Sequence, residues 1–188
     1  MAISTINQNG LNAPLTLTSP VLTTPNLGTP SAINLSNATG LPSAALPTGS
    51  VLQVVQGSLS GIVSNATATW VDTGLTATIT PKFSNSKILV TVNHAGTRKI
   101  TNNTSTGHRL LKNGTNILVF ESISGYTGNT QEIATGSVTT TYLDSPATTS
   151  ALIYKTQINS QNNLANCRIN DYNGDAVLSF ITLMEIAG

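Results

Sequence analysis

The downstream part of the chain consists of short hydrophobic runs that end at turn residues. KILVTVNHAG (87–96) alternates with a period of two, so that Ile88, Val90 and Val92 share one face. This period is typical of a strand with one buried face. Other short runs of this kind are VLQVVQ (51–56), ATWVDTG (68–74), LTATITP (75–81), SVTTTYLD (137–144) and ALIYKTQIN (151–159). The pattern predicts an all-β fold of about eight to ten strands.

Two turn sequences predict hairpins that join neighbouring runs. Asn113-Gly114 separates the apolar halves of HRLLKNGTNILVFES, and residues 172–175 (YNGD) separate NCRIND from AVLSFITLMEI. Asn-Gly supplies the left-handed backbone that a tight hairpin requires. The last run, residues 176–186, is apolar at both alternations, which predicts a central strand or one at a subunit interface. Residues 50–188 are therefore predicted to form an antiparallel, jelly-roll-like β-sandwich.

Residues 1–49 have a different pattern, which predicts an extended arm. They contain six prolines and no charged side chain. Proline fixes its own φ and biases the preceding residue toward extended geometry, so a helix or a central strand is disfavoured. A flexible linker is the alternative, but linkers seldom repeat aliphatic residues so regularly. We expect the arm to pack against other chains or the particle through Leu17, Leu22, Pro25, Leu27, Pro30, Ile33, Leu35, Leu41 and Leu46.

The charge distribution argues against several classes of partner. Residues 1–71 carry no charge, and the eight Lys/Arg and seven Asp/Glu of the remainder leave a net charge of +1. This balance gives no electrostatic basis for binding nucleic acid or an anionic membrane. No run is long and apolar enough to predict membrane insertion, and the first ten residues do not resemble a signal peptide. The uncharged half is expected to be buried in an assembly.

Few residues are arranged for catalysis or metal binding. Cys167 is expected to be a buried side chain on a strand. His94 and His108 lack metal-pair spacing and are expected to be hydrogen-bonded or exposed, although His94 could alternatively bind an ion on a symmetry axis. Asp171 and Asp175 are the only close pair of acids, and a hairpin turn explains them better than a calcium loop. We therefore expect no cofactor, no metal and no catalytic residues.

Four side chains are candidates for contact with a receptor. Tyr126 and Tyr172 are predicted to lie in loops, where aromatic rings often stack on sugars or fill partner pockets. Arg98 and Arg109 belong to a basic mid-region with Lys99 and Lys112, and these side chains could lie close together. The competing interpretation is that the tyrosines are rim packing and that the basic groups are solvated charges at turns and strand edges.

Several stretches resemble bacteriophage tail fibre and related virion proteins. The resemblance lies in LTSPVLTTPNLGTPSAINLSNATGLP, in PTGSVLQVVQ and in WVDTGLTATITPKFSNSKILVTVNHAG, and it covers residues 15–122. It implies a homotrimer that is attached to the virion, among other virion proteins, at one end and displays a β-rich knob at the other. The chain departs from a typical tail fibre because it has no long shaft.

The resemblance and the residue pattern together predict a short trimeric fibre or spike in the virion. Its arm, residues 1–49, would attach to the particle, and its knob, residues 50–188, would bind the host surface, with a surface glycan as one ligand. The alternative is a cement or decoration protein that stabilises the head by bridging capsomers. A glycan-degrading tailspike enzyme is a further rival, which would require Asp171, Asp175, Glu121 and Glu132 to converge in a groove.

Overall fold

A computed structural model describes residues 46–162 and 164–188. This part of the chain consists of strands joined by turns and contains no helix. The strands are β1 (Val51–Leu59), β2 (Val63–Asn65), β3 (Val71–Ile79), β4 (Lys87–Lys99), β5 (Thr104–Lys112), β6 (Thr115–Thr127), β7 (Ile133–Asp144), β8 (Leu152–Asn162), β9 (Cys167–Ile169), β10 (Asp171–Tyr172), β11 (Asp175–Ala176) and β12 (Ser179–Ile186).

All strand pairs are antiparallel, and the longer strands form two sheets. Sheet A has the order β1-β12-β4-β9-β2, with β7 paired to the other edge of β4. Sheet B has the order β3-β8-β5-β6, and β10 and β11 form a separate short hairpin. The predicted central position of the last run is confirmed, because β12 lies between β1 and β4.

Both sheets bury one face in a shared hydrophobic core. Sheet A contributes alternate residues of β4 and β12, and sheet B contributes residues of β3, β5 and β8, as the alternating pattern predicts. Burial of these aliphatic side chains is the main favourable contribution to the stability of such a domain. The core residues are Leu75, Ala77, Ile79, Ile88, Val90, Val92, Leu110, Leu152, Tyr154, Ile181 and Leu183.

The two predicted hairpins form as expected. Asn113 and Gly114 have φ values of 49° and 83°, and Asn173 and Gly174 have φ values of 52° and 96°. These left-handed conformations allow β5 to turn into β6 and β10 into β11. One expectation is wrong: the runs at 68–74 and 75–81 form the single strand β3. Gly74, with a φ of 86°, lies within the irregular register between Asp72 and Thr76, so the strand continues through a bulge.

Candidate binding surfaces

The domain has two distinct ends, and both termini of its described part lie at one of them. The Gly49 N–H donates a hydrogen bond to the Ala187 carbonyl oxygen at 2.8 Å, and the Ala187 N–H donates to the Ser50 carbonyl oxygen at 2.9 Å. The strand register places the Asn113-Gly114 turn at this same end. We call it the proximal end, and it comprises residues 46–50, 80–86, 113–114, 145–151 and 187–188.

The opposite ends of the strands form the distal end, which comprises residues 100–103, 128–132 and 164–166. Here Lys99 of β4 pairs with Ile133 and Cys167, and Thr104 of β5 pairs with Thr127. The chain upstream of Leu46 therefore joins the domain at the face farthest from these loops.

Asp171 anchors the hairpin that carries Tyr172, in the distal half of the domain. Its carboxylate is fully buried and accepts hydrogen bonds from Arg98 at 3.2 Å, from Arg168 at 2.9 Å and from the Gly174 N–H at 2.8 Å. These contacts fix both ends of the turn. Tyr172 projects from it with 62% of its surface exposed. A rigid turn with an exposed ring is suited to contact a partner, because little conformational freedom is lost on binding.

The electrostatic environment keeps Asp171 ionised. Burial alone would raise the pKa of this carboxyl group, but the hydrogen bonds from Arg168 and Gly174 and the charges of Arg98 and Arg168 hold it below its usual value. The expectation that Arg98 is a solvated charge is wrong, since its side chain is only 11% exposed.

The acids considered for polysaccharide cleavage have structural partners or lie apart. Asp171 and Glu132 are brought together by Arg98, which binds both. Glu121 lies on β6 and accepts hydrogen bonds from the backbone N–H groups of the two residues that follow it, both at 2.8 Å. Asp175 is an exposed residue of the hairpin. The arrangement of Asp171 and the two arginines stabilises the turn.

Tyr126 was expected in a loop, but it lies within strand β6, near the distal end of that strand. Its ring is 46% exposed, and its hydroxyl donates a hydrogen bond to the side-chain oxygen of Asn103 at 2.9 Å. Beneath it, the buried Lys99 donates from Nζ to the Thr127 carbonyl oxygen at 3.0 Å and to the Thr127 hydroxyl. Lys99 was expected to be a solvated charge, and its burial corrects that expectation.

Arg109 lies in sheet B, apart from Arg98 of sheet A. Its guanidinium lies over the ring of Trp70, 4.5 Å from the centroid, and donates from Nε to Gln157 at 2.8 Å. Gln157 and Lys155 in turn donate to Asp72. The basic residues do not form one patch, because Lys112 pairs with Asp144 at the proximal end. Nothing in the sequence pattern indicated the Trp70 contact, since it joins a residue just before β3 to a residue of β5.

The outer face of sheet A carries a row of four apolar side chains that crosses the sheet. The register pairs Val54 with Met184, Met184 with Leu89, and Leu89 with Leu143. Val54 and Leu143, at the two ends of the row, are 55% and 50% exposed. Alternation puts these four residues opposite the core, so the row faces outward.

Two further uncharged rows, polar except for the ring of Phe180, continue this face toward the distal end. Within them, Gln56 donates to the Thr182 hydroxyl at 2.9 Å, and Thr139 donates to Asn93 at 3.0 Å. We define the three rows together as the uncharged face: Val54, Met184, Leu89 and Leu143; Gln56, Thr182, Thr91 and Thr141; and Ser58, Phe180, Asn93 and Thr139. Strand alternation could have suggested which residues share a face, but the order of the strands was needed to align them.

The two histidines form a buried pair between the sheets. Nδ1 of His94 lies 2.8 Å from Nδ1 of His108, and Nε2 of His94 lies 2.8 Å from the Thr156 hydroxyl. Phe120 packs against both rings. The fourth ring nitrogen, Nε2 of His108, is buried and has no hydrogen-bond partner within the described residues. The expectation of hydrogen-bonded histidines is confirmed, but their mutual contact was not foreseen.

Among residues 46–162 and 164–188, no three His, Cys, Asp or Glu side chains are grouped as a metal site would require. In the same part of the chain, no helix has the length and hydrophobicity needed to cross a membrane. Cys167 is buried on β9, as predicted, and burial raises the pKa of its thiol to about 11. The thiol therefore stays protonated near neutral pH.

Of the predicted arm contacts, only Leu46 lies within the described residues, and it is 37% exposed. The others, from Leu17 to Leu41, lie outside them. No protein-family model matches the sequence, and a search of curated proteins finds no match.

Proposed function

We propose that this chain is a structural protein of a bacteriophage virion, the subunit of a short trimeric fibre or spike. Its N-terminal segment attaches to the particle, and its jelly-roll-like β-sandwich is displayed for binding to the host surface. The resemblance of residues 15–122 to phage fibre proteins supports this proposal. So does the uncharged N-terminal sequence, whose aliphatic side chains need other surfaces to pack against.

The two-ended arrangement of the domain is the observation on which the proposal mainly rests. The N-terminal segment joins at the proximal end, whereas Tyr126 lies beside the distal end and Tyr172 in the distal half. A protein that is attached at one end and binds a surface at the other needs this separation. Exposed aromatic rings held on a strand and on a fixed turn suit a sugar ligand, because they present a flat apolar face with little loss of entropy.

The first test concerns assembly and attachment. The full chain should have a mass by light scattering of roughly three times 19.5 kDa, as expected for a closed trimer. Deletion of residues 1–46 should abolish attachment to particles that lack the protein, while circular dichroism should still report strands. A mass near that of one chain would contradict the trimer. Undiminished attachment of the deletion variant would contradict the role of the N-terminal segment. Electron microscopy of decorated particles distinguishes tail from head.

A further inference from the structure

Two arginines lie side by side on the outer face of sheet A, in the distal half of the domain. Arg98 of β4 and Arg168 of β9 are directly opposite each other in the strand register. The next pair in this register is Lys99 and Cys167, and both of these residues are buried in the interior. Because side chains alternate along a strand, the two guanidinium groups share the outer side of the sheet. We call these two residues the arginine pair.

The positive charge of the arginine pair is only partly balanced by an acid fixed inside the domain. Arg98 binds one carboxylate oxygen of Asp171 and Arg168 binds the other. The second carboxylate on the pair belongs to Glu132, which binds Arg98. The side chain of Asp171 is fully buried, whereas that of Glu132 is 55% exposed. Asp171 is therefore a fixed part of the structure, and Glu132 is a solvent-screened counter-ion that a ligand is able to replace.

The arginine pair retains N–H donors for a further acceptor. The described residues accept three hydrogen bonds from its side chains, all at the two carboxylates, which is fewer than two guanidinium groups are able to donate. Nε of both arginines has no partner among the described residues, and the side chain of Arg168 is 32% exposed. Guanidinium groups favour planar carboxylates. The contact with Glu132 shows that a carboxylate is able to reach Arg98 from the surface.

Groups that suit a sugar lie on either side of the arginine pair. Tyr172 follows Asp171 directly in the chain, and its exposed ring offers a stacking face. On the other side, the exposed Ser64 of β2 is opposite Arg168 in the register and supplies a hydroxyl group. A ligand a few sugar residues long would contact these groups together. Asp175, the other acid of the hairpin, is exposed, so solvent screens its charge.

We propose that the arginine pair is a subsite for the carboxylate of an acidic sugar, such as a uronic acid of a bacterial surface polysaccharide. Glu132 occupies this subsite in the free protein. The ligand carboxylate replaces Glu132 on Arg98 and also binds Arg168, while a neighbouring sugar ring stacks on Tyr172. An acidic peptide would supply the carboxylate but not the sugar ring and hydroxyl groups that Tyr172 and Ser64 favour. This inference rests on the proposed function, because it names the ligand class of the displayed end.

Titration of the full-length protein with tetragalacturonate tests the subsite, and the methyl ester of the same oligosaccharide is the uncharged comparison. The acid should bind about tenfold more tightly than the ester. Glu132→Gln removes the competing carboxylate and should tighten binding of the acid by about two- to fivefold, without affecting the ester. Glu121→Gln is the matched control, because it removes the same charge from β6 and should leave both affinities unchanged.

Arg168→Gln should weaken binding of the acid by about tenfold, to the level of the ester. Since Arg168 also binds Asp171, thermal unfolding of this variant is measured alongside. Glu132→Gln keeps the test independent of stability, because the side chain of Glu132 is exposed and the expected change is a gain.

Four results would overturn the subsite. They are equal affinity for acid and ester, no gain in Glu132→Gln over Glu121→Gln, failure of Glu132→Gln to bind the acid at millimolar concentration, and binding of tetraglutamate as tight as that of tetragalacturonate. Binding of neutral polysaccharides alone, lost in Tyr172→Ala, would reject the subsite and leave the proposed receptor role intact. The mass of the assembly and the attachment of the deletion variant test the rest of the proposed function separately.

Discussion

The His94–His108 pair shows how burial controls the protonation of a side chain. Each neutral imidazole has one N–H group, so the chain of contacts from Thr156 to His108 has only two consistent patterns. Either His94 donates to Thr156 and accepts from His108, or Thr156 donates to His94, which donates to His108. In both patterns Nε2 of His108 is left without a partner among the described residues. Protonation of either ring would place a cation between the sheets, away from water.

Acid should therefore destabilise the domain through this pair. Burial lowers the pKa of His94 to about 3, and burial together with the nearby His94 lowers the pKa of His108. Below about pH 6.5 the unfolded histidines take up protons that the folded ones do not, so the free energy of unfolding falls with decreasing pH. For His94 the loss approaches about 1.4 kcal/mol per pH unit, or about 2 kcal/mol at pH 5, and His108 adds to it in the same direction. Urea unfolding between pH 7 and pH 5 measures it.

The window from pH 6.5 to pH 5 isolates the histidines from the carboxyl groups. Asp72, Asp171 and Glu185 have lowered pKa values in the folded domain, and their contribution is lost only below their unfolded values of about 4. His108→Gln should reduce the slope in this window, whatever its effect on stability at pH 7. A flat profile for the unmodified protein would contradict the buried, neutral pair.

Prediction from sequence is weakest at the residue scale. His94 and His108 lie on β4 and β5, in different sheets, so their contact depends on how the sheets stack. Asp171 looks like a turn residue, and its burial depends on two arginines, one of them 73 positions upstream on β4. By contrast, the burial of Cys167 followed from its place in a strand, because alternation alone decides which face a strand residue occupies.

At the scale of elements, the two sheets approach each other closely where β1 passes β3. A methyl group on Gly57 of β1 would overlap the carbonyl oxygen of Thr76 on β3 and would also press on Ile181. The obstructing oxygen belongs to the backbone and has no rotamer by which to move away. A residue without a side chain is therefore needed at this crossing.

Gly57→Ala should lower the free energy of unfolding by about 1–3 kcal/mol, as other overpacking substitutions do. The clash outweighs the modest gain of about 0.5–1 kcal/mol expected from replacing glycine within a strand. Gly61→Ala is the control, since an added methyl group there has no neighbour within 4 Å, and it should change stability by less than about 0.5 kcal/mol. Equal urea midpoints for the two variants would show that the crossing tolerates a side chain.

Local signals predicted the elements well where they depended on one strand or one turn. The Asn-Gly hairpins and the central position of β12 followed from φ preferences and from apolar residues on both faces. The error in β3 has a physical cause: Gly74 predicts the end of a strand, but glycine also permits a bulge within one. The pairing of β9 with β4 depends on contacts distant in sequence, and no local signal specifies it.

At the scale of the whole molecule, the sequence indicated that the uncharged N-terminal part differs from the rest of the chain. It did not indicate at which end of the domain that part joins. The absence of charged side chains before Asp72 is evident from the sequence itself. The N-terminal segment joins the domain opposite the distal loops because of the hydrogen bonds among Gly49, Ser50 and Ala187. These bonds join residues more than a hundred positions apart. The proposed division between an attached end and a displayed end follows from that closure.

The displayed end should bind through its exposed tyrosines. The full chain is first screened against a panel of bacterial surface polysaccharides, and the best ligand is then titrated against variants. Tyr172→Ala and Tyr126→Ala should each weaken binding by about tenfold, which corresponds to about 1.4 kcal/mol for the loss of one stacking ring. Both rings are about half exposed or more, so thermal unfolding should change little.

Ile153→Ala, on the side of sheet B, serves as the control and should bind normally. Equal losses in all three variants would indicate a general effect on the fold. Normal binding by both tyrosine variants would exclude the distal surface as the receptor site, and the decoration role would then explain the domain better.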